Sequence, residues 1–124
     1  MLARLGDVRR AGKIIEQTWK RTPHPDLAEA YSHIRQGDAA RDRLKRMRGL
    51  AALRPTSDEG AFAIAEAAID AREFDEARAA MRPILNKHPT QRACLLMAEL
   101  EEAETHDQGR VREWLSRAVR APKD

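Results

Sequence analysis

A chain of 124 residues is one domain's worth of sequence, or roughly three to four units of a short helical repeat. Charged residues make up 35% and aromatics only 4%, and much of the apolar share is Ala, Leu and Met, a composition that suits helices and not strands. The net charge of +3 permits an acidic partner without requiring one, and it is unevenly spread. Between Asp58 and Ala80 seven acids face two bases, whereas five of the eight residues from Arg41 to Arg48 are basic.

Other classes are excluded just as directly. The longest apolar run, Ala93 to Ala98, is far short of the roughly 20 residues that span a bilayer. No secretory leader pattern opens the chain. The single cysteine, Cys94, rules out a disulfide framework, and its place inside the apolar run predicts a buried, inert thiol.

In chain order, Met1 to Leu5 reads as the tail of a helix and Gly6–Asp7 as a turn. A second helix follows, with Val8, Ala11, Ile15 and Trp19 on its apolar face. Pro23 and Pro25 break it, and His24 or Asp26 caps a helix running to about Arg35 with Leu27, Ala30, Tyr31 and Ile34 on one side. Gly37–Asp38 ends that helix. The next, Ala39 to Leu53, turns Ala40, Leu44, Met47, Leu50, Ala51 and Leu53 inward, stops at Pro55 and carries the basic cluster outward.

Ser57 or Asp58 caps a helix over Glu59 to Asp70, with Phe62, Ile64, Ala65, Ala68 and Ile69 apolar. A tight turn around Arg72–Glu73 leads to a helix with Phe74, Ala77, Met81, Ile84 and Leu85 on one face, kinked by Pro83 and closed by Pro89. Thr90 caps a helix that is apolar around most of its girth: Ala93, Leu96, Met97 and Leu100, widened by Cys94, Leu95 and Ala98. After a polar loop, Thr105 to Gly109, the last helix uses Val111, Trp114, Leu115, Ala118 and Val119 and stops at Pro122.

The stretch Ala71 to Pro89, with the helix before it, resembles a tetratricopeptide repeat, whose 34-residue unit has small residues in its first helix, an aromatic and an alanine opening the second, and a closing proline. Ala61, Ile64, Ala65 and Ala68 stand at the first-helix positions, and Phe74, Ala77, Met81, Ile84 and Pro89 at those of the second. The family's Trp and Gly are replaced by Ala61 and Ala65. Closing prolines recur at Pro23, Pro55, Pro89 and Pro122, spaced 32, 34 and 33 residues apart. The expected fold is all-α, a tetratricopeptide-like α-α superhelix of about seven antiparallel helices. It divides into a partial repeat over 1–23 and repeats over 24–57, 58–89 and 90–124.

No catalytic constellation emerges, and no enzyme activity or cofactor is expected. His24, His33, His88 and His106 lie apart, and no pair has the i, i+4 spacing that aims two imidazoles at one metal. No glycine-rich phosphate loop exists, and no Cys–Pro dipeptide suggests a haem ligand. Glu99, Glu101, Glu102 and Glu104 fan around their helix and read as a solvated face. Arg41 to Arg48 also reads as a solvated face, lacking interleaved aromatics to stack bases, with nucleic acid or an anionic membrane surface as the alternative ligand. What remains is a protein-binding groove lined by the first helices of the repeats. Its candidates are Ala28, Ser32, Arg35 and Gln36 from one unit, and Glu59, Phe62, Glu66, Ile69 and Asp70 from the next.

The C-terminal third adds a second resemblance. Cys94–Leu95–Leu96–Met97–Ala98–Glu99, Gly109–Arg110–Val111–Arg112–Glu113–Trp114–Leu115 and Arg120–Ala121–Pro122 resemble the C-terminal region of the HemY family, and Ala40 to Leu44 with Leu50 to Pro55 resemble its middle region. That family comprises bacterial inner-membrane proteins encoded with haem-biosynthesis genes, distinct from a flavin oxidase that shares the label. The resemblance implies a longer, membrane-anchored parent, a soluble tetratricopeptide domain on the cytoplasmic side, and protein partners among haem-pathway enzymes. Independently of it, Val8, Ala11, Ile15 and Trp19 repeat the spacing of Phe74, Ala77, Met81 and Leu85 after the helix tail Met1 to Leu5, so the chain is expected to open inside a repeat. The face of Val8, Ala11, Ile15 and Trp19 would then be partly uncovered, and self-association or a displaced first helix is expected.

Overall fold

The apolar periodicities resolve into seven α-helices, with no strand among the described residues: α1 (Leu5–Arg21), α2 (Pro25–Ser32), α3 (Ala40–Ala52), α4 (Asp58–Asp70), α5 (Phe74–Asn86), α6 (Gln91–Glu104) and α7 (Gln108–Arg120). The computed structural model describes residues 5–124 apart from Gln36 and His88. Short connections fold consecutive helices back on one another in antiparallel pairs, as in helical-repeat architectures. No described helix is long and apolar enough to cross a membrane.

Helix α4 is the hub. It packs on α3 and α5, its neighbours in sequence, and also reaches α2 and α6. Its small residues make this possible: Ala65 and Ala68 are fully enclosed, and Gly60 sits against Ala51 of α3. A Cβ at Gly60 would lie 3.1 Å from the Ala51 Cβ, so even alanine there would push the two helices apart. Leu44 and Met47 of α3, Phe62 and Ile69 of α4, Met81 and Ile84 of α5, and Leu96 and Leu100 of α6 join in one core. Each such side chain contributes roughly 1.5–3 kcal/mol by leaving water.

Local sequence sets the helix ends. The His24 ring accepts from the Asp26 N–H, Ser57 Oγ from Glu59, Thr90 Oγ1 from Ala93, and an Asp107 carboxylate oxygen from Arg110. Between α4 and α5 the Glu73 N–H donates to the Ala68 carbonyl (2.8 Å) and the Arg72 N–H to that of Ile69 (3.0 Å). This double bond is the Schellman arrangement, and it holds Arg72 at φ 60°, where glycine is the usual occupant.

Several expectations are corrected. The α1 helix runs straight through Gly6 and Asp7, so no turn separates them from Val8; residues 1–4 lie outside the described part. Ala11 is exposed, and Gly12 is the small residue on the packed face, opposite Tyr31 and Ile34. Trp19 is completely buried, whereas Ile14 is 59% exposed. Helix α2 ends at Ser32, short of Arg35, whereas Pro83 lies inside α5 as expected, the helix running on to Asn86. In α7 only Ala118 is fully enclosed, and Val119 is 82% exposed, because α7 packs principally on α6.

A row of polar ties links residues far apart in the chain. Arg54 donates to the Lys20 carbonyl (2.8 Å), Lys87 to Asp58 (2.8 Å) and Arg92 to Glu59 (2.8 Å), pairs 29 to 34 residues apart. The last of them closes on the C-terminal residues. The Gln91 N–H donates to the Pro122 carbonyl (2.8 Å), and Asp124 accepts from the Thr90 hydroxyl (2.7 Å) and the Arg92 N–H (2.9 Å).

Candidate functional site

Because α4 touches both α2 and α6, these three helices lie side by side along one face of the array. Two depressions cross that face and share Glu66. One, of about 150 Å³, lies over α2, α3 and α4 and is lined by Ala28, Glu29, Ser32, His33, Arg43, Met47, Ala63, Glu66, Ala67 and Asp70. The other, of about 440 Å³, lies over α4, α6 and the C-terminal residues, with Gln91, Arg92, Leu95, Leu96, Glu99, Lys123 and Asp124 completing its wall. Together they form a trough with Glu66 at its middle.

Four of the nine residues expected to line a groove are brought together there: Ala28, Ser32, Glu66 and Asp70. Glu59 is half-buried and held by Arg92, whose guanidinium also lies 3.9 Å from the centre of the Phe62 ring. Phe62 and Ile69 are not surface anchors. At 3% and 6% exposure they belong to the core, since α4 turns that stripe towards its neighbours. Arg35 borders a separate depression with Gly12, Glu16, Tyr31 and Arg46, and Gln36 lies outside the described residues.

Sequence reading missed Glu29, His33, Arg92, Leu95 and Glu99. A signal existed for three of them: Arg92, Leu95 and Glu99 stand 33 residues after Glu59, Phe62 and Glu66, the same register carried one repeat further. Leu95 differs from its counterpart Phe62 in being 48% exposed, and it supplies the trough with an apolar surface.

The electrostatics of the trough are one-sided. Glu66, Asp70 and Glu99 make no hydrogen bond or ion pair among the described residues. Burial pushes the Glu66 carboxyl up; Arg92 opposes this, while Glu99, Glu29 and Glu59 add to it. Glu99 is pushed up by burial and then by Asp70. The cations at the rim are partly committed: Arg92 to Glu59, and Arg43 to the Asp38 carbonyl (2.7 Å). His33 stands 3.3 Å from Glu29.

The basic stretch of α3 is not simply a solvated face. Arg46 is half-buried, donating to the Ser32 carbonyl (3.0 Å) and pairing with Asp38, and Arg48 binds Glu76 through two nitrogens. Arg41 and Lys45 are exposed. The glutamate run of α6 is corrected too. Glu101 is only 5% exposed; it accepts from Arg78 (3.0 Å), which also donates to Glu104 (2.7 Å), and the Arg78 hydrogen bond holds its carboxyl below the usual range. Cys94 is buried, which raises its thiol pKa. Among the described residues no group of three or more His, Cys, Asp and Glu side chains is arranged to hold a metal.

Comparison with protein-family models, with curated proteins and with solved structures gives no match for this chain. Fold and surface together define an all-helical array of antiparallel pairs with an acidic trough across α2, α4 and α6.

Proposed function

We propose that the chain is a non-catalytic interaction scaffold, the tetratricopeptide-like domain of a HemY-type protein of the bacterial inner membrane associated with porphyrin or haem biosynthesis. In this reading the domain lies on the cytoplasmic side, and a segment of a partner protein, a haem-pathway enzyme, docks across α2, α4 and α6. The observation that carries the docking half is the trough itself. A depression open along three helices, with charged walls and an exposed leucine, suits an extended or helical peptide segment better than an enclosed small molecule. The haem association rests on the sequence motifs in α3, α6 and α7.

The test is a calorimetric titration of purified haem-pathway enzymes against this chain and its Leu95→Arg variant. Binding that weakens about tenfold or more with Leu95→Arg is the expected result. Equal binding by both proteins would move the contact off this face, and no binding by any enzyme would break the haem assignment. The alternative, a nucleic-acid or anionic-surface binder using α3, is weakened by the pairing of Arg46 with Asp38 and of Arg48 with Glu76. DNA affinity that falls steeply with salt would favour it instead.

A further inference from the structure

The interaction reading leaves open which chemistry the partner segment presents, and the trough restricts it. Every charged group facing the trough can be placed. From α2 come Glu29 and His33, from α3 Arg43, from α4 Glu66 and Asp70, from α6 Arg92 and Glu99, and from the C-terminal residues Lys123 and Asp124. Arg92 is paired with Glu59 and also offsets Glu66 in part. Arg43 gives one hydrogen bond to the Asp38 backbone carbonyl and keeps its charge, and Lys123 keeps its charge at the C-terminal end. The five acids of the trough therefore outnumber its three cations. Asp124 is spent on Thr90 and the Arg92 N–H. Glu66, Asp70 and Glu99 keep their carboxylates turned to the trough with no internal cation bound to them among the described residues.

We propose that the trough takes a cationic amphipathic segment of a partner protein, with lysine or arginine side chains meeting Glu66, Asp70 and Glu99 and an apolar side chain covering Leu95. This rests on the scaffold reading and narrows it. Charge complementarity selects the occupant: an acidic segment would meet an excess of carboxylates, whereas a basic one relieves the repulsion among them. The exposed Leu95, between Arg92 and Glu99 on α6, adds an apolar requirement that a purely polycationic chain would not satisfy. Burial and mutual repulsion raise both Glu66 and Glu99, so the segment should hold less tightly as pH falls through their raised range.

The test uses three fluorescent peptides: an amphipathic Lys/Leu helix former, its Lys→Glu counterpart and its Leu→Ser counterpart. Anisotropy is read against the intact chain, the double variant Glu66→Gln, Glu99→Gln, and a control, Glu113→Gln, at an exposed position of α7. Circular dichroism checks that each variant keeps its helices. The Lys/Leu peptide is expected to bind best, to lose about tenfold in affinity with the double variant, to be unaffected by Glu113→Gln, and to weaken as salt rises from about 50 to 200 mM. Equal binding to the double variant overturns the proposal.

Tighter binding of the Lys→Glu peptide, abolished by Leu95→Asp, overturns the cationic partner while leaving the scaffold reading intact. If no peptide binds and no haem-pathway enzyme binds, both readings fail. A concentration-dependent dimer dissolved by the double variant would instead assign the trough to a second copy of this chain, and would also overturn the proposal.

Discussion

The charges of the outer helices and those of the trough are treated in opposite ways. On α3 and α5 three bases are tied: Arg46 to Asp38 and Ser32, Arg48 to Glu76, Arg78 to Glu101 and Glu104. On α4 and α6 the acids Glu66, Asp70 and Glu99 are left open. Tied charges lock one helix to the next and belong to stability. Open ones cost a little stability and are available to something outside the chain. The two sets should therefore respond differently to substitution, pH and salt.

The largest effect is expected at Arg78. Removing it leaves the nearly buried Glu101 carboxylate with Arg110, 4.0 Å away, as its remaining cation. Arg78→Ala should cost about 2–3 kcal/mol, read as a lowered midpoint in urea denaturation with an unchanged slope. Next comes Asp38, whose loss uncovers the half-buried Arg46. Asp38→Ala should cost about 1–2 kcal/mol by the same measurement, and an unchanged midpoint would mean that this pair is idle.

The pH dependence separates the two sets by sign. Hydrogen bonding to Arg78 lowers Glu101, so its contribution is present above the ordinary carboxylate value of 4.5 and is lost as pH falls through its lower folded value. Glu66 is raised, so the cost of its charge is present at neutral pH and disappears as pH falls through its raised value. Thermal midpoints measured against pH should show Glu101→Gln flattening the acid loss. Glu66→Gln, by contrast, should run above wild type at pH 7 and converge with it on acidification.

Smaller still is the exposed pair Arg48–Glu76, whose loss in Arg48→Ala should be visible at low salt and vanish at high salt. The smallest effect has the opposite sign. Because their side chains, though partly desolvated, still reach solvent that screens them, Glu66→Gln with Glu99→Gln should change stability by no more than about 0.5 kcal/mol, and in the stabilising direction. A large destabilisation would move these two acids into the tied set and remove the distinction.

Much of this fold is written locally. Ser57 and Thr90 precede apolar runs and cap them, and the stripe Phe74, Ala77, Met81 with Ile84 has one helical solution. Where two solutions exist, the sequence is ambiguous. Val8, Ile15 and Trp19 form a face with either Ala11 or Gly12, and contact with Tyr31 and Ile34 decides for Gly12. Leu115 and Val119 extend an apolar stripe whose outer part meets no neighbour, so periodicity alone overstated their burial.

The candidate site was half legible. Glu66, Asp70, Ala28 and Ser32 followed from repeat position, but Phe62 and Ile69 have the same spacing and turn inward. Glu101 could not be told from its exposed neighbours, because its partner Arg78 lies 23 residues earlier on another helix. Arg46 depends likewise on a loop aspartate at Asp38.

The longest side-chain ties bear on how the chain reaches this structure. Arg54 with Lys20 and Thr90 with Asp124 span 34 residues, the longest separation among the side-chain hydrogen bonds of the described residues. Each helix therefore meets its partners early, after a short loop closure, and folding should run in the fast regime of low contact order. Helix α4, with neighbours on four sides, is the natural nucleus, and assembly would proceed outward from it towards α1 and α7. Under mechanical load the order reverses: the terminal helices should peel away in separate steps before α3, α4 and α5 let go together.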